Sequence, residues 1–140
     1  MTPPLDRARG RPVDRARGPD IVLLGPEWPE RALLRAQLLE DGYDVVATDA
    51  WPIPRLFLRP GMKPRLLMID LRGLPTPHDA LAEVRGVMPP DRVLVMTALG
   101  TMTADEIRTL GFHVVTRPTT VRDVVAAAAS LLSVSSTAPA

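Results

Sequence analysis

The sequence predicts an α/β fold in which a parallel sheet is covered by helices on both faces. Three observations carry that expectation. Five short apolar or β-branched runs alternate with five segments whose apolar residues recur at helical spacing. The run Leu66 to Ile69 is apolar throughout, as a strand buried on both faces requires, and it closes on a carboxylate, Asp70. Gly and Pro punctuate the junctions, at Gly25-Pro26, Asp41-Gly42, Gly73 to Pro75 and Pro89-Pro90. At 140 residues the chain holds one domain with a core and little to spare.

Residues 1–19 stand apart from the rest. Leu5-Asp-Arg-Ala-Arg-Gly-Arg-Pro12 is echoed by Val13-Asp-Arg-Ala-Arg-Gly-Pro19, and with Arg, Pro and Gly dominant this stretch has almost nothing to bury. It is expected to be a disordered arm. Strand and helix signals begin at Asp20. Ile21 to Leu24 is the first strand, ended by Gly25-Pro26. Pro29 suits the first turn of a helix that carries Leu33, Leu34 and Leu38 to a stop at Asp41-Gly42. Tyr43 to Thr48 is a second strand, and Trp51 to Arg59, with Pro52 and Pro54 near its start, is a short or distorted helix.

The central strand follows, and then Thr76-Pro77-His78-Asp79 supplies a cap, an N1 proline and a first-turn acid for a helix running to about Met88. Arg92 to Thr97 is the fourth strand. Thr103 and Glu106 form a capping box that opens a fourth helix through Leu110, with Gly111 to end it. Phe112 to Thr116 is the fifth strand. The last helix sets Val121, Val124, Val125, Ala128 and Leu132 on one face, and residues 133–140 are expected to fray into a flexible tail. Right-handed crossovers then give a three-layer, doubly wound (βα)5 sandwich of flavodoxin-like order 2-1-3-4-5, spanning residues 20–132.

Composition excludes several classes. A formal charge of +1 hides five Arg against two Asp in the first nineteen residues, so the folded part is mildly acidic and carries no footprint for nucleic acid, which is left to the arm alone. No cysteine means no disulfide, thiol chemistry or Cys-based metal site, and fits a cytoplasmic protein. No leader or membrane-spanning run is expected. The segment Gly25-Pro-Glu-Trp-Pro29 lacks the glycines and lysine of a phosphate loop. His78 reads as a helix first-turn residue and His113 as a strand surface residue, neither with a partner spacing for catalysis or metal binding.

The order 2-1-3-4-5 brings the ends of four strands to one rim, and with them Gly25-Pro26-Glu27, Asp70, Thr97-Ala98 and Arg117-Pro118. This set resembles the receiver domain of two-component response regulators, over essentially all of Asp20 to Leu132. In that family an acidic pair after the first strand holds Mg²⁺ and an Asp ending the third strand accepts a phosphoryl group. A Thr or Ser ends the fourth strand, and a Lys-Pro follows the fifth. The resemblance implies that Asp70 stands at the acceptor position, Thr97 at the hydroxyl and Pro118 at the proline.

Three departures stand beside these matches. Gly25 and Pro26 occupy the acidic-pair positions and offer no carboxylate; Glu27, one residue late, is the candidate substitute acid. Without that pair, Mg²⁺ is expected to bind weakly or not at all, because a hard cation needs oxygen ligands. Arg117 stands at the lysine position, and its planar fork suits a standing contact with a carboxylate. A permanent Asp70 to Arg117 ion pair is therefore expected; the other arrangement leaves Arg117 in solvent. At the position where receivers carry a switching aromatic ring stands Val114, a β-branched side chain with little rotamer freedom.

These departures point to a degenerate, or pseudo-, receiver: a stand-alone signalling or regulatory module that recognises a protein partner, without cofactor and without enzymatic activity. Its partner face is expected between Thr103 and Leu132, and the alanines from Ala126 to Ala129 suit close approach of a neighbouring helix or a second copy. Trp28 and Trp51 mark either an exposed contact near the rim or a cap on the core. The alternative function is a working response regulator, phosphorylated on Asp70 by a histidine kinase.

Overall fold

The computed structural model describes residues 18–27 and 29–137. The expected N-terminal arm, but for its last two residues, lies outside the described residues, as does Trp28. Five parallel strands, β1 (Ile21–Leu24), β2 (Val45–Thr48), β3 (Leu66–Asp70), β4 (Val93–Met96) and β5 (His113–Val115), form one sheet in the order β2-β1-β3-β4-β5. The helices between and after them are α1 (Pro29–Glu40), α2 (Pro52–Leu56), α3 (Pro77–Arg85), α4 (Ala104–Thr109) and α5 (Val121–Thr137). Three-residue 3-10 turns, Leu71–Gly73 and Pro90–Arg92, follow β3 and precede β4. Fold class, strand order and flavodoxin-like architecture are as the sequence predicts.

Alternation along the strands divides the core in two. Val22, Leu24, Leu67, Ile69, Val93 and Val95 face α2, α3 and α4, meeting Leu81, Val84 and Ile107. Ile21, Leu23, Leu66, Met68, Leu94 and Met96 face the other way, onto Leu34 and Leu38 of α1 and Val124, Ala128 and Leu132 of α5. Every residue of β3 is buried, so this strand contributes to both layers. Each of its large apolar side chains is worth about 1.5–3 kcal/mol by burial. Pairing of Leu24 with Ile69 and of Asp70 with Met96 sets the strand ends level and fixes Asp70 at the carboxyl rim.

Boundaries differ from the sequence reading where a backbone group finds another use. β2 begins at Val45 because the Tyr43 N–H donates to Leu38 O at 3.1 Å and closes the end of α1. α3 stops at Arg85 with Gly86 as its C-cap, yet Met88 still enters the core. The helix α5 runs on to Thr137, past the Leu132 end expected from sequence, since nothing from Ser133 to Thr137 breaks it. Arg65 donates to Leu132 O at 3.1 Å and pins that helix to the start of β3. Trp51 packs against the first core cluster with the Arg55 guanidinium 5.5 Å from its ring centroid, which is the core-capping alternative.

Candidate functional site

Asp70 is the last residue of β3 and the cap of the turn after it, where its Oδ1 accepts the Arg72 N–H at 3.0 Å. Its side chain is 6% exposed. A carboxylate placed so deep needs donors, and the sequence supplies them from two arginines. Arg117, delivered just after β5, lays its fork across Asp70, with Nη1 on Oδ1 at 3.1 Å and Nη2 on Oδ2 at 2.8 Å. Arg72 folds back from two residues away, its Nε sharing both oxygens at 3.2 and 3.1 Å and its Nη2 reaching Oδ2 at 2.7 Å. Three contacts converge on each oxygen, which exceeds the four lone-pair sites a carboxylate offers.

A second acid completes the cluster. Glu30, in the first turn of α1, accepts from Arg72 Nη2 at 2.8 Å and from Arg117 Nη2 at 2.5 Å, both on Oε1. Two guanidiniums and two carboxylates therefore balance. Hydrogen bonding to Asp70 is the main reason the Arg72 guanidinium is held above its ordinary pKa, with the charges of Asp70 and Glu30 adding to it against the cost of burial.

Thr97 ties the cluster to β4. Its Oγ1 accepts the Arg117 N–H at 2.9 Å and its carbonyl accepts from Arg117 Nη1 at 2.6 Å, so hydroxyl and backbone both orient the arginine. The Arg117-Pro118 peptide is cis. Among the described residues Arg117 Nε is a buried donor without an acceptor.

The structure brings Asp70, Thr97, Arg117 and Gly25 together as the sequence predicts, and Arg117 takes the ion-pair arrangement over the solvent one. Gly25 lies against the acid: a Cβ there would sit 3.3 Å from Asp70 Cβ and 3.7 Å from its Oδ2. Glu27, the candidate substitute acid, is elsewhere; its side chain is 77% exposed and 3.9 Å from Arg31, while Arg31 donates to Gly25 O at 3.0 Å. The acid that reaches the site is Glu30. Pro118 is exposed beside the cluster, Pro26 is half-buried, and Val114 packs partly against the first core cluster.

Sequence reasoning missed Glu30 and Arg72. An acid in a first turn reads as helix-dipole compensation, and Arg72 reads as a loop residue. The available signal was charge balance, since four charged residues, Glu30, Asp70, Arg72 and Arg117, converge on the rim. His78 and His113 are exposed and outside the site; His78 Nε2 lies 3.5 Å from Glu106 Oε2.

No protein-family model matches the sequence, and no curated protein matches it. Among solved structures the chain is similar to a signal receiver domain from Vibrio parahaemolyticus, with TM-score 0.69 and 19% identity over 85% of this chain and 93% of that one. A response regulator receiver protein from Sinorhizobium medicae matches with TM-score 0.64 and 18% identity over 86% and 98%. A structure from Rhodopirellula baltica described as an adenylate cyclase matches with TM-score 0.68 and 20% identity over 82% and 87%. At these identities the likeness is one of fold, and the fold is that of receiver domains.

Proposed function

We propose that this chain is a pseudo-receiver: a signalling or regulatory protein-interaction module that works without Mg²⁺-dependent phosphorylation of Asp70 and has no enzymatic activity of its own. The observation that carries the reading is the Arg117 fork on Asp70, reinforced by Arg72. An acceptor carboxylate must present a free lone pair to phosphorus, and its neighbours must hold cations that neutralise the charge developing on the phosphoryl oxygens. Both oxygens of Asp70 are already saturated. The donor set does not fit Mg²⁺ either: it calls for near-octahedral oxygen ligation, whereas Gly25 and Pro26 bring no carboxylate and Asp70 and Glu30 are both committed to guanidiniums.

Partner recognition is assigned to the α4-β5-α5 face. A groove of about 360 Å³ crosses it, lined by Arg108, Phe112, His113, Val115 and Leu131 among others. Nucleic acid is left to the basic arm. No helix among the described residues is long and apolar enough to cross a membrane. A cytoplasmic location belongs to the same proposal.

The test is an amide NMR titration with millimolar Mg²⁺ and then beryllofluoride. Resonances of Asp70, Thr97 and Arg117 should not move. Concerted, saturable shifts at those three positions would overturn the reading and favour a phospho-acceptor served by a histidine kinase.

A further inference from the structure

The cluster at the rim holds an anion that is not part of the rim. Asp70, Arg72, Arg117 and Thr97 belong to β3, β4, β5 and the segments directly following them, and they hold one another through Asp70 and the Thr97 carbonyl and hydroxyl. Glu30 comes from a separate helix and touches only the outward ends of the two guanidiniums, both on the same oxygen, Oε1. Its side chain is 25% exposed, between Arg117 at 17% and Arg72 at 32%, while Asp70 is 6% exposed.

Without Glu30 the remaining three side chains carry two positive charges and one negative, a net +1 around a buried carboxylate. Arg117 Nε is already a buried donor without an acceptor among the described residues. Asp70 orients both guanidiniums independently of Glu30, so removing Glu30 leaves their facing Nη2 groups preorganised for an oxyanion.

We propose that Arg72 and Arg117 form an anion-binding site in which Glu30 is a tethered, exchangeable occupant, and that the site's outside ligand is an oxyanion, supplied either by a partner's acidic side chain or by a free phosphate. A side chain on a short tether competes at an effective concentration of order millimolar. The native site is therefore closed to dilute anions and opens to a ligand that also holds another part of the domain. Displacing Glu30 frees the N-terminus of α1 from the ends of β3 and β5, which couples ligand binding to the position of that helix. The inference rests on the proposed function only for the standing Arg117 to Asp70 pair.

The experiment is an amide NMR titration, without Mg²⁺, of wild type, Glu30→Ala, Glu30→Gln and Glu30→Ala with Arg72→Ala. Inorganic phosphate represents the free anion, and N-acetylglutamate amide represents an acidic side chain. Both Glu30 variants should bind at least one probe about tenfold or more tightly than wild type, with shifts centred on Gly25, Thr97 and Arg117. The added Arg72→Ala should abolish the gain. The probe that binds the Glu30 variants more tightly names the source. Equal or weaker binding by both variants, or a gain that survives Arg72→Ala, overturns the proposal. Because Mg²⁺ and beryllofluoride are absent, this outcome is separable from that of the phosphorylation test.

Discussion

Arg117 grips Asp70 by both oxygens, at 3.1 and 2.8 Å, from 47 residues away in sequence. In this geometry the arginine covers both oxygens of the carboxylate, and it is oriented by the hydroxyl and carbonyl of Thr97.

Asp70→Asn is expected to destabilise the domain by about 1–3 kcal/mol, because an amide presents an N–H₂ group to one of two guanidiniums and leaves Glu30 alone to balance two positive charges. Equilibrium urea unfolding measures it. A change within about 0.5 kcal/mol, the range of ordinary surface substitutions, would show that the pair contributes nothing.

Gly25→Asp, which places a further acid beside Asp70, is not expected to create a metal site. Its Cβ would press on Asp70 Cβ at 3.3 Å and add a third carboxylate to a cluster with two cations. Overpacking and repulsion together should cost about 1–3 kcal/mol. Unchanged melting accompanied by millimolar Mg²⁺ affinity would contradict this.

Gly18→Ala should be costly although it lies far from the site. A Cβ at residue 18 would fall 1.9 Å from Met62 O and 2.8 Å from Lys63 O, and backbone atoms cannot give way as a flexible side chain can. A loss of roughly 1–3 kcal/mol is expected. Stability equal to wild type would mean that the chain enters β1 by another route.

Acid lability should include a contribution from the start of α4. Glu106 is held below its ordinary value of 4.5, first by the Thr103 N–H it accepts and then by its contact with His78. A depressed folded-state value gives stability that is complete above the unfolded value and is lost as pH falls through the folded one. Thr103→Ala removes the other half of the capping box and should cost roughly 0.5–2 kcal/mol at neutral pH. Replacing the carboxylate itself, in Glu106→Gln, should flatten the decline below pH 4.5 relative to wild type. Thermal melts of wild type and both variants across that range decide it, and parallel declines of wild type and Glu106→Gln would contradict the assignment.

The fold was legible because each layer of it is written locally. Apolar alternation placed Val22 and Ile21 on opposite faces, Pro29 and Thr103 announced helix starts, and Gly111 announced a stop. Asp70, Thr97 and Arg117 were legible because strand order alone gathers strand ends. Glu30 was not. Its role depends on how far α1 leans over the rim, a property of packing by Leu34 and Leu38 that no residue near Glu30 encodes. Arg72 was hidden differently, since a side chain that doubles back on its own turn leaves no periodic trace.

The rim cluster also has a bearing on time. Its longer ties join residues 42, 47 and 87 positions apart, so each waits for two distant segments to meet, and the full set for the first helix, the central strand and the last strand together. Such contacts are absent from the folding transition state when it is built on local structure. Glu30→Ala and Asp70→Asn should then leave the refolding limb of a chevron plot nearly unmoved and steepen the escape from the native state, with φ near zero. The same four side chains would thereby set how long the native fold persists once formed.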